Sequence, residues 1–188
     1  MATFYYDLMS PYAYLAAERV DRVLPEPPFW QPVLLGGLFK LTGRSSWALG
    51  DYERRRRGMA EIERRAHDYG LPPLRWPDPW PGHYLQAMRA CVAAAEREAL
   101  EPFARTALRM GFTEGRDLSS LEAVAEAARR AGLDPEWLQA RIVEPEIKEH
   151  LRAVTEAAHA RGVFGVPTLA VGERLFWGDD QLEAAASM

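Results

Sequence analysis

The chain has 188 residues, of which 48% are hydrophobic and 27% charged, as in an ordinary soluble globular protein. Its formal net charge is −4, so the composition gives no electrostatic case for nucleic acid or an anionic membrane as a partner. No run approaches the roughly 18 apolar residues that span a bilayer, and the first residues lack the basic and apolar regions of a secretory signal. We therefore expect a cytoplasmic protein with one domain, or one domain carrying a large insertion.

The N-terminal segment predicts a β-α-β unit. Residues 3–8 (TFYYDL) and 29–35 (FWQPVLL) are rich in aromatic and β-branched residues and predict two strands. Between them, Tyr14, Ala17 and Val20 share one face of a predicted helix. A strand–helix–strand unit of this length implies that the two strands are parallel.

From about residue 50 to 161 the pattern predicts helices only. A polar amphipathic helix ends at Gly70, and the proline-rich segment 72–81 predicts irregular structure. The Ala-rich stretch 84–111 predicts a long helix that is divided near Pro102. Three further helix starts are indicated by a capping box at Ser119–Glu122 and by the pairs Asp134-Pro135 and Glu144-Pro145.

The C-terminal segment returns to a β pattern. Residues 167–171 (PTLAV) and 174–177 (RLFW) predict two short strands, and the Gly172-Glu173 connection is typical of a tight antiparallel hairpin. Residues 179–188 predict a terminal helix with acidic residues in its first turn. The predicted order is therefore βαβ, a helical block and ββα.

Three segments carry a resemblance to a known family: FYYDLMSPYAYLA at 4–16, LLGGLFKLTG at 34–43 and GVFGVPTLAVGERLFWGDDQL at 162–182. With them, essentially the whole chain resembles the 2-hydroxychromene-2-carboxylate isomerases, which are related to the kappa-class glutathione transferases and to the disulfide oxidoreductase DsbA. The resemblance implies an α/β, thioredoxin-like fold of the DsbA and kappa type with a large all-helical insertion. The expected division is a thioredoxin-like domain at 1–49 and 162–188 and a helical insertion domain at 50–161.

Ser10 is the candidate catalytic residue. Taken alone, Ser10 before Pro11 is typical of a helix N-cap. The DsbA branch has the first cysteine of a CxxC motif at this position, whereas here the segment reads Ser10-Pro11-Tyr12-Ala13, which excludes a dithiol relay. The isomerases and kappa-class transferases carry serine there. The resemblance implies that glutathione, or another low-molecular-weight thiol, binds at Ser10, Pro11 and Tyr12 with its sulfur against the serine hydroxyl, where a helix start favours a thiolate.

The resemblance implies further cofactor contacts near the C-terminus. The Val166–Pro167 peptide bond is expected to be cis, so that the backbone of Val166 pairs with the cysteinyl unit of the thiol peptide; the alternative is an ordinary edge-strand proline. The following loop is expected to bind the γ-glutamyl end, with N-capping acids as the alternative. Its residues are Trp177, Gly178, Asp179 and Asp180.

Three residues are assigned to the substrate. Lys40 aligns with a lysine that the isomerases place near the substrate carboxylate, although a solvated surface lysine is the alternative. Trp80 falls near an aromatic residue that closes the substrate pocket, or else packs within a rigid loop. Arg44 replaces an asparagine that touches glutathione in the kappa class. An arginine there can pair with a carboxylate of a thiol cofactor, or the pocket accepts a different thiol.

Other candidate sites are weaker. Cys91, the single cysteine, lies in an apolar helical pattern that predicts a buried structural thiol rather than a nucleophile. The four histidines show no metal-ligand spacing, so no metal is expected. The run Arg54 to Arg57 has acidic residues on both sides and predicts a solvated helix face.

The leading hypothesis is a thiol-dependent isomerase acting on a small aromatic substrate. In the mechanism that the resemblance implies, the cofactor thiolate adds reversibly to a conjugated enone, so that a double bond can rotate before the thiol leaves. Two alternatives remain, a kappa-like glutathione transferase and a non-catalytic module that binds thiols or peptides. Because relatives often dimerise, a homodimer is also expected.

Overall fold

The computed structural model describes all 188 residues. The strands are β1 Ala2–Tyr6, β2 Phe29–Pro32, β3 Thr168–Val171 and β4 Arg174–Trp177. The helices are α1 Pro11–Ala17, α2 Val20–Val23, α3 Leu35–Thr42, α4 Tyr52–Asp68, α5 Leu85–Ala95, α6 Leu100–Phe112, α7 Leu121–Arg130, α8 Pro135–Arg141, α9 Pro145–Ala160 and α10 Leu182–Ala186. Two 3₁₀ turns lie at Trp47–Leu49 and Asp179–Gln181. None of the helices is both long enough and apolar enough to cross a bilayer.

The four strands form one sheet in the order β2-β1-β3-β4. β1 is parallel to β2, with Thr3 opposite Phe29, and antiparallel to β3. β3 and β4 form the antiparallel hairpin around Gly172, whose φ of +57° suits a glycine at the turn. The predicted order of βαβ, helices and ββα is confirmed, and the fold is thioredoxin-like with all the helices from α4 to α9 inserted between its halves.

The first βαβ unit differs from the prediction at two places. The predicted strand 29–35 ends at Pro32. The N–H of Val33 still donates to the oxygen of Tyr6 at 3.0 Å, but the N–H of Leu35 donates to the Asp7 carboxylate at the start of α3 instead of to β1. The predicted helix is divided into α1 and α2 at Glu18 and Arg19. At this break the buried Arg19 side chain donates to the backbone oxygen of Asp179, which ties the helix pair to the C-terminal loop.

The helical block follows the prediction except at its internal boundaries. The stretch 84–111 is divided before Pro102, at a bend where Glu98 has a φ of +57°. Pro102 lies in the first turn of α6, where a proline removes no helical hydrogen bond. The cap of α7 is Ser120, whose Oγ accepts the Ala123 N–H at 3.1 Å, and not the predicted Ser119.

The core lies on both faces of the sheet. Phe4 and Tyr6 point into a cluster of 42 buried hydrophobic residues that also contains residues of the helical block. Tyr5 points the other way, into a cluster of eight, as the alternation of a strand requires. Cys91 is fully buried in the larger cluster, and burial raises its pKa to about 12. The prediction of a structural thiol is confirmed, whereas the division into two domains stays a prediction.

Candidate active site

A cleft opens where the start of α1 meets the loop before β3. One part, here called the Ser10 pocket, is lined by residues that include Ser10, Arg44, Arg54, Trp80 and Phe164. The other part, the Asp180 pocket, is lined by residues that include Arg65, Pro167, Gly178, Asp180 and Gln181. Both parts share Tyr12, Trp47, Val166 and Trp177. The two pockets are therefore one continuous cleft.

Ser10 caps α1 and faces this cleft. It is 3% exposed, and its Oγ accepts the N–H of Ala13 at 3.2 Å, so the predicted cap is confirmed. The hydroxyl hydrogen has no acceptor within the chain, and it is free to donate to a ligand. Tyr12 lies in the first turn of α1, where a backbone N–H has no intrahelical partner.

No group in the Ser10 pocket can act as a base on Ser10. Its only charged lining residues are Arg44 and Arg54, and no histidine, lysine or carboxylate lines it. A serine without an adjacent base is a weak nucleophile. Ser10 can therefore serve as a hydrogen-bond donor rather than form a covalent bond to a substrate.

Asp7 holds the turn before Ser10 in place. Its carboxylate accepts the N–H of Met9 at 2.9 Å and the N–H of Leu35 at 2.8 Å, and its backbone oxygen accepts the N–H of Ser10 at 3.0 Å. Burial raises the pKa of Asp7 to about 6, although the two N–H donors act in the opposite direction. Asp7 is not among the site residues that the sequence motifs predict; the signal for it is an aspartate directly after an apolar strand, three residues before Ser10.

The backbone at Val166 is also unpaired. The Val166–Pro167 bond is cis, as the family resemblance predicts. The oxygen of Pro167 accepts the N–H of Gly178 at 3.0 Å, but neither the N–H nor the C=O of Val166 has a partner in the chain. Val166 lines both pockets. Its two backbone groups can therefore pair with an extended peptide in the cleft.

Aromatic side chains also line the Ser10 pocket. Trp80 is buried, and its Nε1 donates to the oxygen of Met9 at 3.2 Å. Its ring packs against Trp47 and Trp76, with centroid distances of 5.4 and 4.7 Å. The peptide bonds before Pro79 and Pro81 are cis. Trp80 thus packs within its loop and also lines the Ser10 pocket. Its contact with a substrate stays a prediction.

Arg44 and Lys40 have different positions relative to the cleft. The guanidinium of Arg44 lies over the rings of Phe164 and Trp177, at 4.6 and 5.5 Å from their centroids. Arg44 thus packs on two aromatic side chains that line the Ser10 pocket with it. Lys40 is exposed in the last turn of α3 and lines neither pocket, whereas Phe39 beside it does line the Ser10 pocket.

Asp179 and Asp180 have separate roles. Asp179 is fully buried, and its carboxylate accepts from Arg65 at 2.9 Å and from the Tyr69 hydroxyl at 2.8 Å. Burial raises the pKa of Asp179, and these two donors oppose that effect. The half-exposed Asp180 carboxylate lies 3.8 Å from Arg65 and faces the pocket. Asp179 therefore fixes the loop, and Asp180 presents a carboxylate to a ligand.

A family model for a DsbA-like thioredoxin domain matches residues 2–188. The chain belongs to the DsbA-like thioredoxin family. It is 27% identical to a 2-hydroxychromene-2-carboxylate isomerase from Sphingobium xenophagum, over 96% of this chain and 93% of that protein. It is 26% identical to glutathione S-transferase kappa 1 from Homo sapiens, over 98% and 88% of the two chains. A solved structure of a 2-hydroxychromene-2-carboxylate isomerase superposes on this chain with a TM-score of 0.88 at 21% identity. The superposition covers 99% of this chain and 92% of that chain.

Within the DsbA-like family, this chain has no cysteine at its cleft. Its one cysteine, Cys91, is buried in the core, so the cleft cannot carry a disulfide of its own. No group of three or more His, Cys, Asp or Glu is arranged to hold a metal ion. The chemistry that the chain itself offers is a hydroxyl donor, unpaired backbone groups, a cationic aromatic pocket around Ser10 and a carboxylate at Asp180.

Proposed function

We propose that this protein is a thiol-dependent isomerase of the 2-hydroxychromene-2-carboxylate type, with glutathione or another low-molecular-weight thiol as its cofactor. One observation carries the proposal. The unpaired Ser10 hydroxyl hydrogen and the unpaired backbone of Val166 line the same cleft, which contains no cysteine. A relative named as this isomerase and a relative named as a glutathione transferase, each aligned over nearly the whole chain, support the choice of a thiol ligand.

The cleft fits a thiol tripeptide along its length. The Ser10 hydroxyl and the Tyr12 N–H would hold the sulfur, and the N–H and C=O of Val166 would pair with the cysteinyl backbone. Asp180 would take the ammonium of the γ-glutamyl end. Arg44, which has no ion-pair partner, would take a carboxylate. The bound thiol supplies a nucleophile that adds to a conjugated carbon of the substrate and later leaves it.

The contribution of Ser10 follows from the ionisation of a thiol. A free thiol has a pKa of about 8.5, so only a minor fraction is thiolate at neutral pH. A hydrogen bond to a charged group contributes about 1.5–3 kcal/mol, and about 1.4 kcal/mol lowers a pKa by one unit. The Ser10 hydroxyl therefore raises the thiolate fraction without itself bonding to the substrate, and its removal should slow turnover by roughly 10- to 100-fold.

The Ser10 pocket suits a small aromatic substrate. Phe39, Trp47, Trp80 and Phe164 give it flat apolar walls, and the arginines are its only charged groups. An aromatic acid can stack on these rings while its carboxylate meets a guanidinium. The isomerase substrate has both features, an aromatic ring and a carboxylate.

The test is the interconversion of 2-hydroxychromene-2-carboxylate and its trans open-chain isomer, followed by absorbance with and without glutathione. We expect turnover that depends on glutathione, a loss of roughly 10- to 100-fold in Ser10→Ala, and parent activity in Ser45→Ala, a serine of the same pocket. Loss of the cap costs about 1 kcal/mol, which urea unfolding of Ser10→Ala will register. Turnover that does not depend on the thiol, and is equal in Ser10→Ala and the parent, would reject the proposal.

A kappa-like glutathione transferase is the second candidate. The 26% identity to glutathione S-transferase kappa 1 over 98% of this chain favours it, and the same cleft serves both activities. Calorimetry with glutathione, together with assays of isomerisation and of conjugation to an electrophile, separates the candidates. Conjugation without isomerisation indicates the transferase. Binding without either reaction indicates a thiol-binding module.

A further inference from the structure

Arg54 is exposed, as the sequence predicts for the arginine run, and it also lies at the Ser10 pocket. The carboxylate of Asp51 caps α4 by accepting the Arg54 N–H at 2.8 Å, which places Arg54 in the first turn of the helix. A Cβ built on Gly50 would lie 2.7 Å from the Arg54 Cδ. The aliphatic stem of Arg54 therefore packs on the backbone of Gly50.

The guanidinium of Arg54 has no partner in the chain. Arg55 donates to the oxygen of Trp80, and Arg56 pairs with Glu53 at 3.1 Å. Arg57 lines neither pocket. Arg54 is the member of the run that lines the Ser10 pocket, and it makes no side-chain hydrogen bond or ion pair there. All five of its N–H donors are available to a ligand.

The charge of the Ser10 pocket is uncompensated. Its two charged lining residues are both arginines, so an anion is favoured there. The Arg44 guanidinium already lies over the rings of Phe164 and Trp177, whereas the Arg54 guanidinium has no hydrogen-bond or ion-pair partner. Lys40, the residue that the resemblance assigns to the substrate carboxylate, is exposed and outside the pocket lining.

We propose that Arg54 is a specificity-determining residue that binds the carboxylate of an aromatic acceptor in the Ser10 pocket. This inference deepens the proposed function and rests on it for the identity of the reaction. A planar guanidinium can meet a carboxylate with two parallel hydrogen bonds, while the aromatic ring of the ligand stacks on Trp47 and Trp80. The protein therefore prefers acidic aromatic acceptors to their neutral esters.

The test is an equilibrium binding experiment without any thiol. Cinnamate and methyl cinnamate are titrated into the parent protein, and binding is followed by quenching of the tryptophans that line the cleft. The parent should bind cinnamate at least about tenfold more tightly than the ester. Arg54→Gln should lose this preference. Arg57→Gln and Lys40→Gln should keep it.

Three results would overturn the assignment of Arg54 to the carboxylate. They are the absence of saturable cinnamate binding to the parent, a preference for cinnamate that Arg54→Gln keeps, and a preference for cinnamate that Lys40→Gln loses. A second titration with glutathione should give the same affinity in Arg54→Gln as in the parent, and a weaker affinity would place Arg54 in the thiol site instead. Since no turnover is measured, a preference that depends on Arg54 would survive even if the isomerase assay failed.

Discussion

Gly58 is expected to be necessary for the shape of the cleft. Its position in the interior of α4 would ordinarily make Gly58→Ala stabilising by about 1 kcal/mol. A Cβ built there, however, would lie 2.7 Å from Cδ2 of Trp47 and closer still to two further atoms of that ring. Overpacking of this kind costs about 1–3 kcal/mol. Trp47 lines both pockets and packs on Trp80, so the strain is transmitted to the ligand site.

We therefore expect Gly58→Ala to lower the free energy of unfolding by up to about 2 kcal/mol and to weaken the binding of glutathione. Gly36→Ala is the matched control, since it also lies in a helix and a Cβ there meets nothing within 4 Å. It should raise the stability by up to about 1 kcal/mol and leave binding unchanged. Urea unfolding and calorimetry measure both effects. If the two variants are equally stable and bind equally well, Trp47 is not held against Gly58.

Two further predictions concern buried ionisable groups. Asp7 has a pKa of about 6 in the folded protein against its usual 3.8, so the folded state binds the proton more tightly. The parent should therefore lose about 2 kcal/mol of stability relative to Asp7→Asn as the pH rises from 4 to 7; parallel urea stability profiles would contradict this. Cys91 is fully buried with a pKa raised to about 12, so a disulfide reagent should label it slowly in the folded protein and rapidly in urea. Rapid labelling of the folded protein would show that the thiol is accessible.

The fold was predictable because its signals are local. The aromatic strands at the two ends of the chain, the glycine of the hairpin and the proline-led helices can each be recognised within a few residues. The end of β2 was not predictable in this way. It depends on the N–H of Leu35, which bonds the carboxylate of Asp7 from 28 residues away. The break between α1 and α2 likewise coincides with a contact from Arg19 to the distant Asp179.

The site was predictable where a motif places a residue in the thioredoxin-like half. Ser10, Val166, Trp177 and Asp180 line one cleft, as the motifs indicated. The contribution of α4 was not predictable, because the sequence shows that this helix is polar but not which of its turns reaches the cleft. This helix supplies Arg65, which pairs with Asp179. It also supplies Arg54, the unpaired cation at the Ser10 pocket.

We propose that Ser10 holds the sulfur of a bound thiol. The most direct test is a pH titration of thiolate absorbance at about 240 nm for glutathione bound to the parent and to Ser10→Ala. Cys91 should not contribute, since its pKa is raised to about 12. We predict that the bound thiol ionises at least about one pH unit below its ordinary value near 8.5, and that Ser10→Ala removes most of this shift. If the thiol binds but ionises as it does in solution, equally in both proteins, Ser10 does not hold the sulfur.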